Sequence, residues 1–231
     1  MSEIPEIGAH LGALQPPRQV VTASRFRLLS YFSVVSLIGM VLVVAGIFVL
    51  SGESMKSTLL RQESSQGIAL GRTMLNALWP NYAPLALRAH TLTPAALADQ
   101  LENIQLRKQI YELTRTLNIV KIRIYTTDGR VVFSNWDNEI GAILPDDGAL
   151  QSVLAGAPQS TLSFQSRFEA IDGRVRDRSI VKTLLAIDHP VSGARQGVME
   201  IHTDVSNEII ALRDDQLRLG GVLGLGMLGL F

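Results

Sequence analysis

Residues 28–50, LLSYFSVVSLIGMVLVVAGIFVL, contain no charged side chain. At ~1.5 Å of rise per residue, this stretch is long enough to cross the ~30 Å hydrocarbon core of a bilayer as one helix. Few other folds are open to it, because a backbone in lipid must satisfy its own hydrogen bonds. Arg18, Arg25 and Arg27 precede the run, and the first charge after it is Glu53. The positive-inside bias therefore puts the N-terminus in the cytoplasm. A cleaved signal peptide is the competing reading. Against it, the run is long for the apolar region of a signal peptide, and VLSGES offers no A-x-A site.

A second apolar run, residues 219–231 (LGGVLGLGMLGLF), reads as the start of another membrane helix. Its glycines make a poor helix in water. Gly220 and Gly224 form a GxxxG pair, which suits close helix approach in lipid. A buried helix of a soluble protein is the alternative. Two spans would return the chain to the cytoplasm. The expected location is then a bacterial inner (plasma) membrane, with residues 51–216 periplasmic.

Between the runs the composition is that of a soluble domain of common size. The zero formal net charge of the 231 residues gives no electrostatic case for nucleic acid. The absence of cysteine excludes disulfides, cysteine–zinc sites and thiol nucleophiles. Residues 1–27 read as a flexible cytoplasmic tail containing Pro5, Pro16 and Pro17. Residues 51–92 read as a helical stem, with Leu70, Met74 and Leu78 at helical spacing, that bends at WPNYAP, where Pro80 and Pro84 break it.

Thr93 and Pro94 have the residue types of an N-cap and a first helical position. Leu97, Leu101, Ile104, Leu106, Ile110, Leu113 and Leu117 follow at a spacing of mostly 3–4, which predicts an amphipathic helix ending near Asn118 with this stripe toward a core. The period then changes to two. In IVKIRIY (119–125), Val120, Ile122 and Ile124 face one way and Lys121, Arg123 and Tyr125 the other, as in a strand with one wet or ligand-facing side. Asp128–Gly129 is a hairpin signal, with residues 131–134 as the partner strand. A short helix is predicted over 147–155, closed by Gly156. Strands are predicted over 160–168, 178–187 and 197–203, the first two joined by a tight turn at 171–174. Asp204 or Ser206 caps a final helix through Ile209, Ile210 and Leu217. This order predicts an α+β fold with an antiparallel five-stranded sheet and flanking helices, the domain proper covering 93–203 and the exit helix 204–218.

VKIRIYTTDGRVVFSN (120–135) carries a resemblance. Together with the pair Ile140–Gly141, LQSVLAG (150–156) and GVMEIHTDVS (197–206), it resembles the extracytoplasmic PAS-like or Cache-like sensor regions of bacterial membrane receptors. His202 stands where such sequences usually have an aromatic, and Ser206 where they have threonine. The resemblance implies a PAS-like/Cache-like sheet bracketed by two transmembrane helices. Asp204, Val205 and Ser206 would form the signal-exit motif, and the output would lie in a cytoplasmic domain. The variant looks most like the input region of membrane diguanylate cyclases. Sensor histidine kinases of two-component systems carry similar domains.

Residues 1–231 show neither output motif, no G-x-S-x-G and no HExxH, so the segment is expected to be non-enzymatic, without metal or cofactor. Its histidines are His10, His90, His189 and His202, and none has close ligand spacing. Lys121, Arg123 and Tyr125 alternate on one strand, with Arg178 and Lys182 on another. If those strands are neighbours, they make a cationic face with an aromatic, able to hold a carboxylate through charge-assisted hydrogen bonds. His202 is added as a possible pocket residue. A solvated sheet face and a face near anionic headgroups are the alternatives. The expected partners are an unidentified small molecule such as a carboxylate, the lipid bilayer, and a second copy of the chain through the stem helices. A membrane-tethered scaffold with no ligand is the competing reading from another class.

Overall fold

The computed structural model describes residues 23–143, 148–171 and 173–228. The chain divides into two units, residues 1–47 and 48–231. Helix α1 (Ala23–Arg88) begins in the first. There, Tyr31, Phe32, Leu42, Val43 and their apolar neighbours are exposed. A helix apolar all round has no stable face toward water. Among the described residues this is the one helix long and apolar enough to cross a membrane. Helix α5 (Ser206–Leu228) carries the glycine-rich run as helix. Its apolar part, 219–228, is only about 15 Å of helix. A second membrane-spanning helix is therefore not seen among the described residues, and 229–231 lie outside them.

The second unit is built on five antiparallel strands: β1 (Ile119–Tyr125), β2 (Val131–Ser134), β3 (Gln159–Ala170), β4 (Gly173–Asp188) and β5 (Arg195–Asp204). Their order in the sheet is β2-β1-β5-β4-β3. This is the expected α+β sheet, with strands somewhat longer than the sequence pattern suggested. One face is apolar. Ile122, Ile124, Leu185, Ile187, Met199 and Ile201 pack there against Met74, Leu78, Trp79, Tyr82 and Leu85 of α1.

That packing corrects two expectations. The stem does not bend at WPNYAP, because α1 continues through Pro80 and Pro84 to Arg88. Each proline removes a backbone donor at a cost of about 3 kcal/mol or more. Burial of Trp79, Tyr82, Leu85 and Ala86 in the core offsets this. Trp79 Nε1 also donates to Gln196 Oε1 at 2.6 Å, and Tyr82 hydroxyl to Gln109 Oε1 at 3.1 Å. The folded domain consequently starts well before residue 93. Residues assigned to the stem, Met74 to Ala89, are part of its core. Close seating is possible because Gly67 and Gly71 face the sheet. A Cβ on Gly71 would lie 2.8 Å from Leu185 Cδ2, and one on Gly67 would lie 3.1 Å from Thr183 Oγ1.

The following helix is two pieces, α2 (Pro94–Ala98) and α3 (Leu101–Thr114). Thr93 Oγ1 caps α2 by accepting from Ala96 N at 3.2 Å. Leu97, Leu106 and Ile110 are buried, but Leu101, Ile104, Leu113 and Leu117 are exposed. The helix ends at Thr114 rather than near Asn118. The break at Asp99–Gln100 shifts the helical phase, so one continuous stripe cannot face the core. Asn103, fully buried in α3, donates to Leu97 O at 2.6 Å and Val132 O at 3.2 Å. It thereby ties the break to β2.

Candidate functional site

Helix α4 (Ala149–Leu154) lies on the opposite face of the sheet, closed by Gly156 at φ 111°. The predicted start of this helix at Asp147 and the turn residue Asp172 lie outside the described residues. Leu150, Val153 and Leu154 pack with Tyr125, Val131, Leu184 and Val198 in a small second core. α4 covers one end of this face. A cavity of about 450 Å³ opens beside it, lined by Arg123, Tyr125, Gly129, Leu150, Thr161, Ser163, Gln165, Lys182, Leu184, Glu200 and His202.

The strand register explains why these side chains meet. Lys121, His202, Lys182 and Thr161 lie opposite one another across β1, β5, β4 and β3. Arg123, Glu200 and Leu184 form the next line. Of the six expected site residues, Arg123, Tyr125, Lys182 and His202 line the cavity. Lys121 and Arg178 do not.

The expectation of a cationic face made by neighbouring strands is incorrect. β5 lies between β1 and β4 and contributes a carboxylate, Glu200. A second carboxylate, Glu139, comes from the 3-10 turn Asp137–Glu139. Glu139 accepts from Lys121 Nζ at 2.6 Å, from Arg123 Nε at 2.8 Å and from Ser134 Oγ at 2.6 Å, and it also pairs with Arg123 Nη2. Glu200 accepts from Arg123 Nη1 at 3.1 Å and from the Tyr125 hydroxyl at 2.9 Å, and it is bonded to His202 Nε2. Nor is the face wet, since Lys121, Tyr125, Glu200 and His202 are all buried.

Burial alone would raise the pKa of each carboxylate, but the donors around them outweigh it. Hydrogen bonds from Arg123, Lys121 and Ser134 hold Glu139 at about 2. The His202 hydrogen bond and charge interactions with His202 and Arg123 hold Glu200 at about 2. Burial pushes the Tyr125 hydroxyl up, reinforced by the Glu200 charge, so it stays a donor. Burial holds the Lys121 ammonium below the usual lysine range, partly opposed by its bond to Glu139. Burial likewise holds His202 below the usual histidine range, partly opposed by its bond to Glu200. Both carboxylates are ionised at neutral pH and already have partners. Arg123 is committed to holding them and is not an open anion receptor.

Arg178 sits elsewhere for a clear reason. Its Nη1 pairs with Asp204 Oδ2 at 3.3 Å, at the start of α5. Next to it, Ser179 N donates to Ser206 Oγ at 3.0 Å and Val205 N donates to Ser179 O at 2.9 Å. Asp204 Oδ1 accepts from Ser206 N at 2.9 Å. The Asp204–Val205–Ser206 stretch is thus gripped by β4 through the residue expected to bind ligand.

Sequence reasoning missed Glu139, Glu200, Thr161, Ser163 and Gln165. Glu200 was within reach, because it alternates with His202 in VMEIH and so shares its face. Glu139 lies in an irregular loop, where no period marks which way a side chain faces. Among the described residues, no cluster of His, Cys, Asp or Glu could hold a metal ion.

No family model matches the sequence, and no curated protein matches it. Among solved structures, the fold is similar to the sensor domain of the histidine kinase DctB from V. cholerae, at 12% identity and TM-score 0.34, covering 65% of this chain and 57% of that one. It is also similar to the periplasmic domain of RsbU from Chlamydia trachomatis, at 16% identity and TM-score 0.34, covering 70% and 56%. A domain of a sensory box/GGDEF family protein from Vibrio parahaemolyticus matches at 15% identity and TM-score 0.30, covering 67% and 62%. The chain thus spans little more than half the length of these structures. The likeness to PAS/Cache-like sensor regions concerns the fold, and at these TM-scores it carries no argument about ligand or output.

Proposed function

We propose that this segment is the ligand-sensing input region of a membrane-anchored receptor. In this reading, residues 28–50 cross the membrane, the sheet domain lies outside the cytoplasm, and α5 carries the signal through a second span to a cytoplasmic output. On the sequence resemblance that output is a diguanylate cyclase, with a sensor histidine kinase as the alternative, and the receptor works as a dimer through its long helices. The observation that carries the reading is the placement of the cavity. It opens on the face of the sheet away from α1, and the strand that supplies its Lys182 also grips the first turn of α5 through Arg178 and Ser179.

The lining supports one ligand class. The charged groups of the lining are Arg123, Lys182 and Glu200, with the His202 imidazole beside Glu200. Thr161, Ser163 and Gln165 add uncharged polar groups, and Leu150 and Leu184 add apolar ones. A small organic monocarboxylate with hydrogen-bonding groups and a short apolar part fits this balance. A ligand must bind two states of the domain differently to transmit anything.

The full chain in nanodiscs, titrated with a panel of small monocarboxylates, tests this. A panel member should raise the melting temperature, and Lys182→Met together with Gln165→Leu should abolish the rise. If no panel member shifts the transition, or if the double variant still responds, the carboxylate reading is wrong. A reporter fused at residue 140 should mature only outside the cytoplasm, and cytoplasmic activity there would overturn the topology.

A further inference from the structure

The β3–β4 hairpin is longer than the sheet that holds it. β4 pairs with β5 only from Ile180, opposite Asp204, onward. Residues 173–179 pair with β3 alone, and of these 173–177 form a two-stranded arm with 166–170. Its ladder is interrupted once. Pairing runs from Gln159↔Leu184 to Gln165↔Arg178, skips Ser166 and Asp177, and resumes at Arg167↔Arg176. Asp177 has φ 53°, the one positive φ among the described non-glycine residues. Aspartate tolerates this left-handed conformation better than most residues, and the reversal turns the strand locally while the register stays the same on either side.

Beyond that point, the arm crosses β5 and reaches β1. Ile171 N donates to Val120 O at 2.7 Å. Trp136 Nε1 donates to Ala170 O at 3.1 Å. The Phe168 ring lies 5.2 Å from the His202 ring and 5.5 Å from Lys121 Nζ. The arm's own ladder sets one like-charge pair, Arg167 opposite Arg176, against one exposed ion pair, Arg174–Glu169 at 3.6 Å, and a lone two-stranded ribbon is marginal in water. Docking on Val120, Trp136 and His202 therefore holds the arm down. On the other side of that point, Arg178 and Ser179 grip Asp204, Val205 and Ser206, and Gln165 and Ser163 line the cavity.

We infer that this arm is a hinged strap, bending at Ser166 and Asp177, whose docking on His202, Trp136 and Val120 couples the cavity to the first turn of α5. Docked, the strap buries Lys121 and His202 beneath Phe168 and fixes the cavity wall at Gln165. Lifted, it withdraws Phe168 and turns Arg178 and Ser179, which loosens Ser206. The strap rests on the cavity being the sensor's ligand site, but its motion is a property of the ligand-free chain.

Hydrogen exchange on the ligand-free full chain in nanodiscs tests it. Amides of 166–171 and 173–177 should exchange about tenfold faster than those of 181–187, as for a locally opening segment. Phe168→Ala should speed the arm about tenfold further and also speed 205–209, with 181–187 unchanged. Trp136→Phe removes one indole donor while keeping an aromatic ring, and should give the same pattern at smaller amplitude. In a Trp79→Phe background, Trp136 fluorescence should become more open to acrylamide in Phe168→Ala. An arm exchanging no faster than 181–187 in any of these proteins overturns the strap. Faster arm exchange with 205–209 unmoved overturns the coupling. Neither result touches the carboxylate titration, so failure of the strap and failure of the ligand reading are separable.

Discussion

The two faces of this sheet solve burial in opposite ways. Toward α1, the side chains of β1, β4 and β5 are Ile122, Ile124, Leu185, Ile187, Met199 and Ile201, and shape alone decides the fit. Toward the cavity, the same strands present Lys121, Arg123, Tyr125, Lys182, Glu200 and His202. That face is folded by pairing each buried charge. The difference teaches where a domain of this kind can change state. An apolar close-packed face has one arrangement, whereas an ionic face offers partners that a ligand or a proton can perturb.

The strongest way to break this comparison is to remove one charge. Arg123→Ala leaves Glu139 and Glu200 short of their shared partner and should cost about 3–5 kcal/mol in denaturant unfolding of the detergent-solubilised chain. Replacing Lys121, Arg123, Glu139 and Glu200 together by methionine should cost less than the single change, because no buried charge of that cluster is stranded. A quadruple variant less stable than Arg123→Ala would show that the face is not organised by charge pairing.

Acid should discriminate next. The folded pKa of Glu200 lies near 2, below its ordinary 4.5. Its stabilisation is complete above ~4.5 and fades as pH falls toward 2, a loss on the order of 3 kcal/mol, and Glu139 acts in the same direction. His202 adds to this. Its folded pKa is depressed, so the unfolded chain takes the proton first and stability begins to fall below pH ~6.5. Stability that stayed flat from pH 7 to 3 would contradict the ionised network.

On the apolar face the effects are smaller. Gly71→Ala places a methyl 2.8 Å from Leu185 Cδ2. Overpacking of about 1–3 kcal/mol exceeds the ~1 kcal/mol gained in helix propensity, so a net loss of about 1 kcal/mol is expected in thermal melts. A stabilised Gly71→Ala would mean that α1 does not seat closely. The smallest effect is Thr93→Ala, about 1 kcal/mol for losing the cap on Ala96 N, read in the same melts.

The apolar half of the fold was largely legible in the sequence. Alternation in IVKIRIY sorted Lys121 to Tyr125 into two faces, and Thr93–Pro94 marked a helix start, but an irregularity between Ile119 and Lys121 puts Ile119 rather than Val120 in the core. The proline bend was misread because residue preference at Pro80 and Pro84 is local, whereas burial of Trp79 and Tyr82 is not. The site was half legible. Arg123 and Tyr125 follow from strand parity, Lys182 from its place on a second strand and His202 from polar neighbours on the last strand, all of them local properties. That Arg178 grips Asp204 instead was not visible, because strand order is set by long-range pairing.

The sequence by itself determined the uncharged membrane-length run, the five strands and the two faces of residues 121–125, since all follow from patterns carried by neighbouring residues. Only the tertiary structure decided that β5 would insert between β1 and β4, that Glu139 and Glu200 would neutralise the basic side chains, and that the β3–β4 arm would fold over His202. Each of those depends on contacts between residues far apart in the chain, whose free energy exists only once the backbone has closed around them.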